Sequence, residues 1–247
     1  MADHIVRAFD ADLDALSRGV AELGGLAESM TTRAIEALVR QSPAMANEVI
    51  ALDARLDSLQ QEIEEKAILT IARRQPLAVD LRAVIAAIRV THDLERIGDL
   101  AKNICKRVLA ITGLVQAPKL VKGVEHLSQL VLTQLKDVLD AYVERDADKA
   151  LAVWLRDEEL DEMYTSLFRE LLTYMIEDPR NITACTHLLF IAKNLERVGD
   201  HTTNIAETLY FLVHGRALAQ MRPKGDRSSL AVVRGDEGGD HGGEEKG

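Results

Sequence analysis

Aromatic residues, turn residues and cysteine are scarce in this chain of 247 residues. Aromatics make up 4% of it, proline occurs five times and cysteine twice. An all-β sandwich or barrel needs frequent aromatic and turn residues, so the composition excludes that class. Seven of the 15 glycines lie between residues 225 and 247, and neither GxGxxG nor GxxxxGK[ST] occurs. The sequence therefore also lacks the glycine signatures of nucleotide-binding folds.

Acidic residues outnumber basic ones, and long apolar runs are absent from the sequence. Thirty Lys and Arg against 40 Asp and Glu give a net charge of −10, which repels the phosphates of DNA and RNA. Cys105 and Cys185 form no CxxC pair, so neither a disulfide framework nor a zinc knuckle is indicated. The N-terminus has no apolar signal segment, and no stretch approaches the roughly 20 apolar residues of a membrane span. We expect a cytoplasmic protein that neither binds nucleic acid nor inserts into a membrane.

What the chain does contain is helical periodicity. Apolar residues recur every three or four positions between prolines, as in Leu52, Leu56, Leu59 and Ile63. Ser42-Pro43 and Asp178-Pro179 are typical helix starts, and Gly113 and Gly215 suit helix ends. The pattern predicts an all-α protein of six long antiparallel helices. Their expected ranges are 9–41, 45–73, 77–112, 119–145, 147–177 and 180–214.

The chain also repeats itself. Residues 94–99 read LERIGD and residues 195–200 read LERVGD, and each is followed by Asn-Ile at the same spacing. A period of about 100 residues is too long for a solenoid unit and indicates a duplicated three-helix domain. The predicted organisation is two tandem three-helix bundles, packed about a pseudo-twofold axis, and a disordered tail rich in Gly, Asp and Glu. Their ranges are 1–113, 114–215 and 216–247.

Acidic residues in the repeated motif suggest a binding site. Glu95 and Asp99 are four residues apart, so their carboxylates share one face of a helix, and Glu196 and Asp200 repeat the pair. The preceding helix of each repeat carries a second pair at the same spacing, which an antiparallel neighbour could bring close. These pairs are Asp53 with Asp57 and Asp157 with Asp161. Rows of carboxylates suit hard or borderline cations such as Ca²⁺, Mg²⁺, Mn²⁺ or iron.

A structural interpretation competes with the cation site. The acids could form solvated faces or pair with neighbouring bases such as Arg96, Arg197 and Lys102. Gly98 and Gly199 recur with the acids, although glycine costs about 1 kcal/mol in a helix interior. A close approach of a neighbouring helix would explain both glycines. The sequence leaves a cation-binding role, a partner-binding role and a structural role open.

Catalytic signatures do not accompany the acids. No histidine follows a glutamate at the Glu-x-x-His spacing of ferritin-like di-iron sites, and neither HExxH nor GxSxG occurs. A nucleophile paired with a base is not evident. The sequence therefore predicts that the chain is not an enzyme. A carboxylate-bridged metal protein with storage, redox or hydrolytic activity is the alternative.

The duplicated LERxGDxxxNI motif, together with DxxxD on the second helix of each repeat, resembles the PhoU family. This family comprises accessory and regulatory proteins of bacterial phosphate-specific transport. The resemblance implies a cytoplasmic, usually dimeric and non-enzymatic regulator that represses the phosphate-starvation response. It also implies two partners, the ATPase subunit of the phosphate ABC transporter (PstB-like) and a sensor histidine kinase (PhoR-like).

Some members of this family bind iron or zinc clusters, or single cations, through the (E/D)xxxD acids. Carried over, the resemblance implies eight ligand candidates, with the identity of the metal open. These are Glu95, Asp99, Glu196, Asp200, Asp53, Asp57, Asp157 and Asp161. At the end of the helix-2 motif, Glu62 in the first repeat aligns with Ser166 in the second. The two sites therefore need not be equivalent.

Overall fold

Long amphipathic helices account for the architecture seen in the computed structural model. The model describes residues 2–114 and 119–218, with side chains from residue 9 onward. The described part of the chain contains helices and no strand, as the sequence predicts. In chain order the helices are α1 (Ala2–Val39), α2 (Pro43–Arg74), α3 (Ala78–Ile111), α4 (Lys119–Glu144), α5 (Ala147–Leu155), α6 (Asp157–Glu177) and α7 (Ile182–His214), with a 3₁₀ turn at Pro179–Asn181 before α7.

Local signals set the helix ends where the sequence places them. Ser42 caps α2, with its hydroxyl accepting from the backbone N–H of Met45, and Pro43 takes the first helical position. Asp178 caps the 3₁₀ turn that leads into α7. Gly215 ends α7 in the left-handed conformation, with φ of 70°. The helix start at Ser42-Pro43 and the helix end at Gly215 are therefore confirmed, whereas Asp178-Pro179 begins a 3₁₀ turn and α7 itself begins at Ile182.

Two helix predictions need correction. The first helix begins at Ala2, earlier than the predicted residue 9. The helix predicted over 147–177 is instead two helices, α5 and α6, because the helix is interrupted at Arg156. There the backbone N–H bonds to Val153 O, one residue short of the α-helical partner, and the carbonyl accepts from Gln134 Nε2 of α4 at 3.0 Å. This long-range hydrogen bond is invisible to a periodicity argument.

The two repeats pack against each other mainly through α3 and α7. Helices α1, α2 and α3 pack together, helices α4 to α7 pack together, and the further contacts between the two groups run from α1 to α4. Arg89 lies over Phe211 while Arg107 lies over Phe190, so α3 and α7 run antiparallel. Buried apolar residues from both groups form one core. The predicted tail lies largely outside the described residues, from residue 219 onward.

Candidate functional site: two acidic clusters

Four predicted acids meet between α2 and α3 in the first repeat. We call Asp53, Asp57, Glu95 and Asp99 the first acidic cluster. Lys102 Nζ lies 2.6 Å from Asp53 Oδ2 on α2 and 2.7 Å from Asp99 Oδ1 on α3. The ammonium group therefore bridges the two helices, between the two carboxylate pairs that the sequence analysis expects to converge. Lys102 thus pairs with the acids, which is one part of what the structural interpretation expects.

Electrostatics show how tightly these groups are coupled. Burial raises the pKa of Glu95, and the carboxylates of Asp99 and Asp57 raise it further, against opposing effects of Arg96 and His92. Arg96 Nε is 3.4 Å from Glu95 Oε2. Because α2 packs close to α3, the carboxylate of Asp57 on α2 adds to the negative charge around Glu95.

The pKa of Lys102 is also raised, but for a lysine this shift favours the charged form. Burial disfavours its charged form, but hydrogen bonds to Asp53 and Asp99 outweigh that effect and raise the pKa of the lysine above its ordinary value. Lys102 is therefore a permanent positive charge of this cluster at neutral pH.

A glycine in each motif lets the helices approach closely. A Cβ at Gly98 would lie 2.3 Å from Leu56 Cδ2, and a Cβ at Gly199 would lie 2.0 Å from Leu160 Cδ2. Leu56 and Leu160 each stand one residue before the second aspartate of their DxxxD pair. The close approach predicted for both glycines is confirmed, and it sets the distance between the acids.

The second acidic cluster consists of Asp157 and Asp161 on α6 with Glu196 and Asp200 on α7. Its setting is more buried, since Asp157, Asp161 and Glu196 are 1%, 6% and 5% exposed. Thr203 Oγ1 lies 3.1 Å from Asp157 Oδ1, and Lys193 Nζ lies 2.9 Å from Glu196 Oε2. The second repeat thus also provides polar and cationic side chains around its acids.

The two repeats place their lysines at different ends of the same row. Lys102 stands three residues after Asp99, and the matching position after Asp200 is Thr203. Lys193 stands three residues before Glu196, and the matching position before Glu95 is His92. The acids are thus duplicated exactly in type, whereas the side chains that counter their charge are not.

The donor chemistry of both clusters suits a hard cation, because carboxylate oxygens are the ligands such ions prefer. In the first cluster, Asp53 Oδ1 and Glu95 Oε2 are buried and accept no hydrogen bond within the described residues. Lys102 already bridges the carboxylates of Asp53 and Asp99, so a metal there would compete with its ammonium. No group of three or more His, Cys, Asp or Glu side chains in the described ranges is arranged as a ready metal site.

One polar contact was not anticipated from the sequence. Asp93 Oδ1 on α3 lies 2.9 Å from His201 Nδ1 and accepts from Asn204 Nδ2 at 3.3 Å, both on α7. Asn204 belongs to the repeated motif, yet it bonds across the boundary between the repeats instead of joining the acids. With the offset of 101 residues between the repeats, Asp93 aligns with Asn194. The difference between these two aligned residues is the one signal in the sequence that sets Asp93 apart. The contact itself was not predictable, because it forms only when α3 packs against α7.

Comparison with known proteins finds the same duplication. A sequence model of the PhoU domain matches residues 20–108 and again residues 124–209. A phosphate-specific transport system accessory protein PhoU homolog of Rhizobium meliloti is 55% identical over 92% of this chain and 95% of its own length. A homolog of the same description from Caulobacter vibrioides is 51% identical over 92% of this chain and 98% of its own length.

Solved structures agree with the sequence comparison. The crystal structure of PhoU from Pseudomonas aeruginosa superposes with a TM-score of 0.81 at 36% identity, covering 84% of this chain and all of that one. The phosphate transport system regulatory protein PhoU from Streptococcus pneumoniae superposes with a TM-score of 0.79 at 31% identity, covering 86% of this chain and all of that one. The duplicated acidic motif, the helical pairing of the repeats and these matches together show that the chain belongs to the PhoU family.

Proposed function

We propose that this protein is an accessory regulator of phosphate uptake and a repressor of the phosphate-starvation response when phosphate is plentiful. The observation that carries the proposal is the match of both repeats to the PhoU domain, with relatives described as phosphate-specific transport system accessory proteins over nearly their whole length. The proposed role is non-enzymatic and cytoplasmic. Within the described residues no helix is long and apolar enough to cross a membrane.

The proposed mechanism is that of an adaptor. The protein would act as a homodimer between the ATPase subunit of the phosphate ABC transporter and a sensor histidine kinase, relaying the state of one to the other. The all-helical scaffold with one continuous core supports such a role, because a rigid body can present two separate surfaces at a fixed spacing. Chemistry on a bound substrate is not required for this function.

Deletion of the gene tests the regulatory role. A strain without this protein should express phosphate-scavenging genes in high phosphate, and a plasmid copy of the wild-type chain should restore repression. Unchanged reporter output in the deletion strain would contradict the proposal. Affinity capture of the tagged protein, with the ATPase subunit and the kinase supplied separately, then tests the adaptor step. Failure to retain either partner would contradict the adaptor mechanism.

Metal binding at the acidic clusters is the second part of the proposal. The burial of three carboxylates in the second cluster supports it, since buried carboxylates require positive charge nearby. A divalent or trivalent ion, such as iron, zinc, manganese, magnesium or calcium, is one source of that charge, and Lys193 is another. A carboxylate-bridged metal protein with storage, redox or hydrolytic activity is the alternative that strong metal binding would favour.

Thermal melts with metal and with chelator test this part. A metal at 100 times its dissociation constant would add about 2.7 kcal/mol to the free energy of unfolding. The double variant Glu95→Gln with Asp99→Asn should lose the part of that gain that arises in the first cluster, and Glu196→Gln with Asp200→Asn the part from the second. Identical melting of the wild type with every metal and with chelator would remove the metal from the proposal and leave the acids as structural or partner-facing charges.

A further inference from the structure

Two grooves lie along the seam between α3 and α7, and the internal duplication relates them. The first, the acidic groove, has a volume of about 790 Å³ and includes Arg89, His92, Asp93, Asn204, Glu207 and Phe211 in its lining. The second, the basic groove, has a volume of about 340 Å³ and is lined by Asn103, Lys106, Arg107, Ala110, His187, Phe190 and Asn194. An offset of 101 residues relates Asn103 to Asn204, Lys106 to Glu207 and Asn194 to Asp93.

The duplication has inverted the charge of this seam. Where the acidic groove has Asp93 and Glu207, the basic groove has Asn194 and Lys106, and no carboxylate lines it. This concentration of positive charge stands out in a chain with a net charge of −10. A groove whose lining has two cationic side chains and no carboxylate favours an anion over a cation.

The cations of the basic groove are available for a ligand. Neither Lys106 nor Arg107 forms an ion pair with a carboxylate in the described part of the chain. The guanidinium of Arg107 lies 4.4 Å from the centre of the Phe190 ring. Stacking on a ring holds the guanidinium plane while its N–H edge stays able to bind oxygen atoms, the geometry by which arginine recognises phosphate.

His187 adds a third observation in the same groove. Its Nδ1 is buried and has no hydrogen-bond partner within the described residues. Burial lowers the pKa of His187, and the positive charge of Arg107 lowers it further. An anion beside Arg107 would relieve that repulsion and offer His187 a hydrogen-bond acceptor. The amide groups of Asn103 and Asn194 supply further N–H donors at the rim.

We propose that the basic groove between α3 and α7 is a binding site for a phosphate oxyanion, held by Arg107, Lys106 and His187. The shared chemistry is a tetrahedral phosphoryl group, either as free inorganic phosphate or as the terminal phosphate of a nucleotide. The groove is larger than inorganic phosphate, so both sources are compatible with its volume. This site is separate from the acidic clusters and does not depend on the regulatory proposal, which is tested in cells.

Imidazole NMR titration of the purified full-length protein tests the site at constant ionic strength. Inorganic phosphate and a nucleoside triphosphate serve as separate probes, and the His187→Gln variant assigns the His187 signals. Binding of either probe should shift the His187 signals and raise their apparent pKa, and the tighter probe identifies the source. Lys106→Gln and Arg107→Gln should each weaken binding roughly tenfold or more, because each removes a charge-assisted hydrogen bond.

The acidic groove provides the matched control. Arg89→Gln removes the arginine that lies over Phe211 in the acidic groove, outside the proposed site, and should leave phosphate binding unchanged. Lys106 is exposed, so Lys106→Gln keeps the test valid if Arg107→Gln fails to fold. Absence of any His187 response at millimolar concentrations of both probes would overturn the proposal. An affinity that Lys106→Gln and Arg107→Gln leave unchanged would overturn it equally.

Discussion

The two acidic clusters share four acids and differ in what surrounds them. In the first, Asp57 is exposed and Lys102 bridges Asp53 and Asp99 across two helices. In the second, three of the four acids are buried, Thr203 meets Asp157, and the lysine comes from the opposite end of the row. A repeated motif therefore does not guarantee a repeated site, since the charge balance is set by residues outside the motif.

The comparison also shows what a metal would meet in each cluster. It would meet Lys102 in the first, and in the second it would meet Thr203 at the matching position and Lys193 beside Glu196. A cation entering the first cluster must displace an ammonium group that already makes two short contacts. In the second cluster a threonine hydroxyl stands at the matching position, and a hydroxyl can remain beside a metal ion. The sequence suggested a further difference at Glu62 and Ser166, and both of these side chains are exposed.

The largest expected effect follows from removing the bridging lysine. Lys102→Met keeps most of the side-chain volume but leaves the carboxylates of Asp53 and Asp99 without their shared counter-charge. We expect a loss of about 2–3 kcal/mol in the free energy of unfolding, below the value for a fully buried pair because the lysine is one-fifth exposed. Urea denaturation at pH 7 with chelator measures it.

The matching change in the second repeat is Thr203→Val. It removes a hydroxyl whose single proton is shared between Asp157 Oδ1 at 3.1 Å and Gly199 O at 3.0 Å, and it removes no charge, so the expected loss is about 1 kcal/mol. A Lys102→Met variant as stable as the wild type would show that the bridge contributes nothing and that the first cluster needs no cation. Equal losses from both variants would erase the proposed difference between the clusters.

The second prediction concerns what the repeats have in common. Gly98→Ala and Gly199→Ala both push a methyl group into a buried leucine, whereas a Cβ at Gly25 on α1 would meet no atom within 4 Å. All three changes gain helix propensity, so Gly25→Ala serves as the control. Relative to that control, the two motif variants should lose about 1–3 kcal/mol each. Similar stabilisation of all three would contradict the close helix approach.

Particular residues show how far sequence reasoning reached. The helices, the duplication, the acid pairs and the two glycines were predictable, because each follows from spacing along the chain. The break at Arg156 and the bond from Asp93 to His201 were not, since each depends on a partner in another helix. The difference in charge between the two grooves can be read in the sequence, because Lys106 in the first repeat aligns with Glu207 in the second. It acquires meaning only when α3 and α7 are seen to pack antiparallel.

The smallest expected effect has opposite signs in the two repeats. Glu95 has a raised pKa in the folded state, so its charged form destabilises the fold at neutral pH, and the associated stability is present at low pH and lost as pH rises through that pKa. Glu95→Gln should therefore stabilise the protein at pH 7 by a few tenths of a kcal/mol, and the gain should vanish as pH falls below about 4. Glu196→Gln removes the partner of Lys193 and should destabilise it at pH 7. Urea denaturation of both variants at pH 7, and of Glu95→Gln also at acidic pH, decides the matter. A gain from Glu95→Gln that does not change with pH would show that the effect is packing, because only a titrating carboxylate can make it disappear in acid.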